Sequence, residues 1–254
     1  DLLKVEQVGR QDNFFHLGGH SLLAVRLASQ VQQRLLRPLS LETLFEQPQL
    51  SALAQHLDAS QLITQVPMTR ADRNQPLPLS WAQQRLWFIA QLKGGSEAYH
   101  IPESVAFKGP LSVSALSQAL NSLVARHESL RTVFREVEGE VVQVIVPEAD
   151  SKFVLLHKDL RELSATEQAS ALQEQADEEQ STPFDFENGP LIRGRLVQLA
   201  RDHHVLFLTM HHIVSDGWSM NILVKEISQL YEAFKAGLPN PLAPLALQYP
   251  DYAL

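Results

Sequence analysis

At 254 residues the chain is about 1.7 times the roughly 150 residues of a typical domain, so one large or two modest domains are expected. Its 44% hydrophobic and 20% charged content belongs to a soluble globular protein, and zero cysteines exclude disulfides, thiolate zinc sites and a cysteine nucleophile. A net charge of −8 argues against nucleic acid, and the lack of a long apolar run or basic leader argues against a membrane, leaving a cytoplasmic protein as the expectation.

Residues 1–58 read as a small all-α bundle. After Gly18-Gly19-His20-Ser21, the residues Leu23, Ala24, Leu27, Ala28, Val31 and Leu35 share one helical face, and Pro38 breaks that helix. A second helix begins near Pro48 and carries Leu50, Leu53, Ala54 and Leu57. Residues 59–78, with Pro67, Pro76 and Pro78 set among polar side chains, read as a solvated linker.

Over residues 79–254 helices and strands alternate. Ser80 and Gln83 fit a capping box, and Gly94-Gly95 stops the helix it opens. Val113, Leu116, Leu120, Leu123, Val124 and His127 form one helical stripe, on which His127 reads as core rather than catalyst. Thr132–Val137 and Val141–Val146 read as a hairpin joined across Glu138-Gly139. A helix over about Thr166–Gln180 presents Asp177-Glu178-Glu179 as a solvated face. The strands Leu191–Leu199 and His204–Val214 follow, then a helix over Ser219–Ala236. The predicted architecture is multidomain, an all-α bundle followed by an α/β domain with a mixed or antiparallel sheet.

Ser21 stands where a loop meets a helix N-terminus. Its residue type suits an ordinary N-cap. It is a poor nucleophile elbow, because G-x-S-x-G needs a glycine where Leu23 stands and no strand feeds in. Covalent modification is the third reading, since the dipole and free N–H groups at a helix start favour a phosphate ester. The stretch Asp12-Asn13-Phe14-Phe15-His16-Leu17-Gly18-Gly19-His20-Ser21-Leu22-Leu23 resembles the signature of peptidyl carrier domains of nonribosomal peptide synthetases. That resemblance implies 4′-phosphopantetheine on Ser21, installed from coenzyme A by a phosphopantetheinyl transferase, holding a peptidyl or aminoacyl thioester. It also implies a full helix ahead of the motif, of which only Asp1–Gly9 stands here, so an N-terminally shortened carrier is expected.

Met210-His211-His212-Ile213-Val214-Ser215-Asp216-Gly217-Trp218-Ser219 joins an apolar strand to a helix. Alternation along a strand sends His211 and His212 to opposite faces, so one can enter a given cleft while the other is structural. Neither H-x-H nor H-x-x-x-H occurs in this segment, which argues against a metal. Asp216 suits a helix start and Gly217 a turn. The segment resembles the HHxxxDG motif of condensation domains, which share the chloramphenicol-acetyltransferase-like fold. Ser80-Trp81-Ala82-Gln83-Gln84-Arg85-Leu86-Trp87, Arg126-His127-Glu128-Ser129-Leu130-Arg131-Thr132-Val133-Phe134 and Tyr249-Pro250-Asp251-Tyr252-Ala253 resemble that family's first, second and fourth motifs, in order.

This second resemblance implies amide-bond formation between a peptidyl thioester and an aminoacyl thioester on a downstream carrier. Adjacent adenylation and carrier domains would be the partners, in a pathway such as antibiotic biosynthesis. It assigns the chemistry to the motif residues His211, His212, Asp216 and Gly217; our expectation is that His212 faces the cleft as base or positioner and that Asp216 is structural, paired with Arg131 to hold the loop. It also places a second lobe after the fourth motif, so a chain ending at Leu254 is expected to be weak or inactive in condensation. Such a lobe is expected to expose apolar surface on Leu206–Met210 and around Ile227, Leu230 and Phe234. Two alternatives stay open: an epimerisation domain, which shares HHxxxDG but usually follows a GGDS carrier where His20-Ser21 stands here, and a non-catalytic carrier or docking module.

Overall fold

The computed structural model describes residues 2–3, 5, 7–61, 69–92 and 94–253. Its contacts divide the chain into two units, Asp1–Pro67 and Met68–Leu254.

In the first unit the apolar stripe seen in the sequence becomes α1 (Ser21–Leu35), followed by α2 (Leu41–Glu46) and α3 (Leu50–Ala59). Leu36 closes α1 in the left-handed region and returns its N–H to Gln32, two residues before the chain-breaking Pro38. Helix α2 has too few residues for a period to show, yet it is capped locally: the Ser40 hydroxyl accepts from the Thr43 N–H at 3.0 Å. Phe14, Ala24, Leu39, Leu44 and Leu53 form the buried core, with Leu27 and Val31 of α1 packed against it. Burying one side chain of this kind contributes about 1.5–3 kcal/mol.

The second unit runs β1 (Leu77–Pro78), α4 (Trp81–Ala90), β2 (His100–Lys108), α5 (Val113–Arg126), β3 (Thr132–Val137), β4 (Glu140–Ile145), β5 (Leu155–Asp159), α6 (Ala165–Ser181), β6 (Ile192–Ala200), β7 (His203–His211), α7 (Gly217–Lys235) and α8 (Tyr249–Tyr252). One sheet has the order β1-β4-β3 and the other β2-β7-β6-β5. All pairings are antiparallel except β5 with β6, so the larger sheet is mixed. Leu206, Leu208 and Met210 of β7 join the core built with Leu116, Leu120 and Leu123 of α5 and Leu230 of α7. Phe207, on the opposite face, packs with Leu160, Val197 and Leu199, against which Leu172 of α6 lies. A strand covered on both faces needs a continuous apolar run, and Val205–Leu208 with Met210 supplies it in the middle of β7.

Three expectations are corrected here. Within the supposed linker, residues 62–68 lie outside the described residues, but residues 69–78 belong to the second unit. The Ala71 N–H donates to Asp251 Oδ1 at 2.9 Å, Arg73 pairs with both Asp251 and Glu128 at 2.7 Å, and Leu77-Pro78 adds to β4. The buried Asp251 carboxylate needs such partners, and polar residues that looked solvated supply them. Glu179 is likewise no part of a solvated face: it is 4% exposed and accepts from Arg193 at 2.9 Å and Thr209 at 3.0 Å. Leu206–Met210 and Leu230 are buried rather than uncovered; the exposed large apolar side chains include Trp81, Phe88, Trp218 and Val224 instead.

Candidate functional site

Ser21 is the first helical residue of α1 and is exposed, while His20 takes the N-cap position without a side-chain cap bond. It is therefore not the N-cap the residue type suggested. The loop that delivers it is docked on the start of α3: Phe14 N–H donates to Pro48 O at 2.9 Å, and Leu50 N–H to Asp12 O at 3.2 Å. Asn13 Oδ1 accepts from the Phe15 N–H at 2.8 Å. Gly19 must be a glycine, because a Cβ there would lie 2.4 Å from the Phe14 ring and 2.5 Å from its carbonyl oxygen. The Ser21 hydroxyl has no hydrogen bond among the described residues, and the first turn of α1 carries no acidic side chain. An exposed hydroxyl beside uncapped N–H groups suits esterification by an anion.

The histidine pair lies in the second unit, at the end of β7. Alternation separates the two rings as the sequence implies. His211 is 0% exposed and is enclosed by aromatic rings, with centroids 4.7 Å away for Phe186, 5.9 Å for His100 and 6.2 Å for Phe184. Its Nδ1 accepts from the Ile213 N–H at 3.1 Å, which places the proton of the neutral ring on Nε2. Burial, with smaller contributions from His100 and His212, pushes its pKa down to about 4, so it is neutral at physiological pH. His211 is a structural ring that ties the strand end to the turn after it.

His212 is exposed. Its backbone N–H donates to Tyr99 O at 2.9 Å, and its ring meets the Tyr99 ring edge-on, with centroids 6.4 Å apart. The chain then turns back into the core at Ile213 and Val214, and Ser215 is buried with its hydroxyl unpartnered among the described residues. Beside this turn a cleft is lined by Leu123, His127, Ser129, Ser215, Ser219 and Ile222 among others. His127, half-buried, gives its Nε2 to Glu226 at 2.6 Å and so joins the end of α5 to α7.

Asp216 caps α7. Its Oδ1 accepts from the Ser219 N–H at 2.8 Å and from the Ser219 hydroxyl at 2.6 Å. These bonds hold its carboxyl below the usual range, with nearby His212 acting in the same direction. The expected pairing with Arg131 is not formed. Arg131 donates instead to Val146 O at 2.7 Å and to Ala125 O at 3.4 Å, while Glu128 lies 3.8 Å from its guanidinium. Asp-x-x-Ser is a local capping pattern, so a nearby hydroxyl satisfies the carboxylate and the distant arginine is not needed. Gly217 is the first residue of α7; a Cβ there would meet nothing within 4 Å, so the second unit sets no steric demand for glycine at this position.

Two neighbours of the pair went unseen in the sequence, Tyr99 and His100. Tyr99 ends a short 3-10 turn and His100 opens the strand β2, whose many exposed residues hide its alternation. His100 Nδ1 lies 2.8 Å from Gln180 O, and burial is the first of the influences that hold its pKa below the ordinary value.

Residues 73–254 match the family described as Condensation domain, and residues 1–57 match Phosphopantetheine attachment site. Malpibaldin synthetase of Mortierella alpina is 49% identical across 100% of this chain, which spans 4% of that protein. The dimodular nonribosomal peptide synthase of Bacillus subtilis is 41% identical across 100% of this chain, which spans 10% of it. Among solved structures, the X-domain from teicoplanin biosynthesis matches with a TM-score of 0.63 at 30% identity, over 73% of this chain and 39% of that one. The first condensation domain of the calcium-dependent antibiotic synthetase, in complex with a substrate analogue, matches with a TM-score of 0.60 at 28% identity, over 67% of this chain and 40% of that one.

Proposed function

This chain belongs, over residues 73–254, to the condensation-domain family, and from that premise we propose that it forms amide bonds as part of a nonribosomal peptide synthetase. The cofactor of the first unit is covalently held 4′-phosphopantetheine. We assign its attachment to Ser21, whose exposed hydroxyl at the uncapped start of α1 fits a phosphodiester. When bound, this group presents an acyl chain as a thioester, a carbonyl open to attack by an amine. A phosphopantetheinyl transferase and coenzyme A would install it; adjacent adenylation and carrier domains would supply the two acyl partners.

Within the second unit the work falls to His212. A free α-amine has a pKa of about 7.7–8.0 and is mostly protonated at neutral pH. To attack, it must present its lone pair and give up a proton as the C–N bond forms and the thiol leaves. His212 is the exposed imidazole at the end of β7 and accepts the hydrogen bond of that amine, taking its proton or holding it in line. His211 and Asp216 act through structure, the first fixing the turn through Ile213 and the second starting α7.

The observation that carries this reading is the exposed His212 ring set directly after the fully buried His211. Two experiments test it. Incubation with coenzyme A and a phosphopantetheinyl transferase should add the mass of one phosphopantetheine, and Ser21→Ala should abolish the gain. In the longest synthetase polypeptide that carries this chain, His212→Ala should slow dipeptide formation by about 10²–10⁴-fold, the usual worth of general acid–base catalysis. Unchanged turnover in His212→Ala, or deuterium entering the donor α-carbon instead of a new amide, contradicts the assignment.

A further inference from the structure

Helix α4 ends at Ala90, and the chain must then reach the end of β7. Gly95 makes this possible: a Cβ there would lie 2.1 Å from the Ile89 carbonyl oxygen, so only glycine lets the chain fold back so closely. The segment that follows, Ser96 to His100, lies alongside both histidines. His100 is the register partner of His211, and the two rings meet edge-on at 5.9 Å. His100 is itself anchored, by Gln180 O at 2.8 Å and by the Phe184 ring at 4.9 Å. One residue beyond this last register pair, where both chains leave the strands, Tyr99 of the turn Glu97–Tyr99 and His212 of the turn after β7 form a second facing pair. The Tyr99 carbonyl holds the His212 N–H at 2.9 Å, and its half-buried ring stands at 74° to the imidazole with centroids 6.4 Å apart.

We propose that Tyr99 is a positioning residue for His212, its ring forming a wall that restricts the imidazole to the rotamer aimed at the amine. The proposal rests on the role given to His212 above. The buried pair His100–His211 fixes the backbone, and the exposed pair Tyr99–His212 fixes the working ring. An edge-on aromatic pair of this separation changes the oriented population by about 2- to 13-fold.

The test separates positioning from mere support of the fold. In this 254-residue chain with isotope-labelled histidines, Tyr99→Ala should move the His212 ring-proton resonances and average its side-chain couplings, whereas Tyr99→Phe, which keeps the ring, should leave both as they were. His211 resonances should stay in place in either variant, because Tyr99 contributes to that region through its backbone. If Tyr99→Ala does not fold, Tyr99→Leu keeps the bulk without the ring current and gives the same contrast with Tyr99→Phe. In the synthetase polypeptide, Tyr99→Ala should lower kcat by about 2- to 13-fold with KM unchanged, and Tyr99→Phe should stay near wild type. The proposal is overturned if Tyr99→Ala leaves the His212 signals unchanged, or if Tyr99→Phe loses as much rate as Tyr99→Ala. A fully active His212→Ala removes the functional reading instead, and the resonance experiment tells the two failures apart because it needs no turnover.

Discussion

His211 makes the second unit sensitive to mild acid, by an amount that follows from its burial. In the unfolded chain the imidazole titrates at the ordinary 6.5, and in the folded unit at about 4. Between those values the unfolded state binds a proton that the folded state refuses, so stability is fully present above pH 6.5 and falls as pH drops towards 4. The slope is about 1.4 kcal/mol per pH unit, and the total is about 3 kcal/mol. Urea unfolding followed by tryptophan fluorescence reads this unit alone, since Trp81, Trp87 and Trp218 all lie beyond the first unit. His211→Asn is the informative variant: its side-chain oxygen can accept from the Ile213 N–H, and it does not titrate. The lost ring packing against Phe186 will lower its stability at every pH, so the quantity to compare is the change from pH 7.5 to pH 5. Wild type should lose about 2 kcal/mol more than the variant over that range. His204, whose pKa burial also lowers, contributes to both proteins and cancels in the difference; pairing His211→Asn with the His100→Asn background removes the contribution of the neighbouring ring. Equal losses in wild type and variant would refute the reasoning.

Asp216→Ala should cost about 1 kcal/mol through the lost cap, while Asp216→Asn, a comparable capping residue, should cost little. In urea unfolding, the double change with Arg131→Ala should be additive within about 0.5 kcal/mol, since the two side chains share no bond. Burial pushes the Asp251 carboxyl up, but Arg73 and the N–H groups of Gln248 and Ala71 outweigh it and hold it below 3.8. Its contribution is therefore present above pH 3.8 and is lost as pH falls through its lower folded value. Arg73→Ala leaves that carboxylate unpaired, costs about 3 kcal/mol and should move the acid unfolding midpoint, read by fluorescence, to higher pH. Gly19→Ala drives a methyl group into the Phe14 ring; hydrogen exchange of the first unit's amides should show a loss of about 1–3 kcal/mol of protection.

The helices with strong periods were legible, α1, α5 and α7 above all, because each buries one stripe against one core. The Ser80–Gln83 capping box forms as its residue types indicate, both halves present. The hairpin of β3 and β4 turns where expected, with Glu138 at φ 55° and Gly139 at φ 83°. What the sequence concealed depends on distant partners. β2 is an edge strand whose residues from Pro102 to Ala106 are all exposed, so its alternation is masked. Glu179 looks solvated beside Asp177 and Glu178 until β6 brings Arg193 and Arg195 against α6. Arg73 looks like linker charge until Asp251, far along the chain, receives it. For Asp216 the reverse holds: its partner is local, Ser219 three residues on, and not the distant Arg131.

The spacing of the histidine motif follows from these local duties. His211 is buried as the last residue of β7, and the turn that begins at His212 leaves that next side chain in solvent. Ile213 and Val214 are 3% and 8% exposed, and they pull the turn back into the core before Asp216 opens α7. Strand end and helix start are thus pinned at both sides of the exposed ring, one by aromatic packing and the other by a cap. A residue inserted between His212 and Asp216 would lengthen a turn whose Ile213 and Val214 are packed in the core, and so unseat one or both of those side chains. The distance from imidazole to aspartate is set by packing on either side of it, and this is why a carboxylate whose bonds are all to its own helix start belongs to the same motif as the exposed ring.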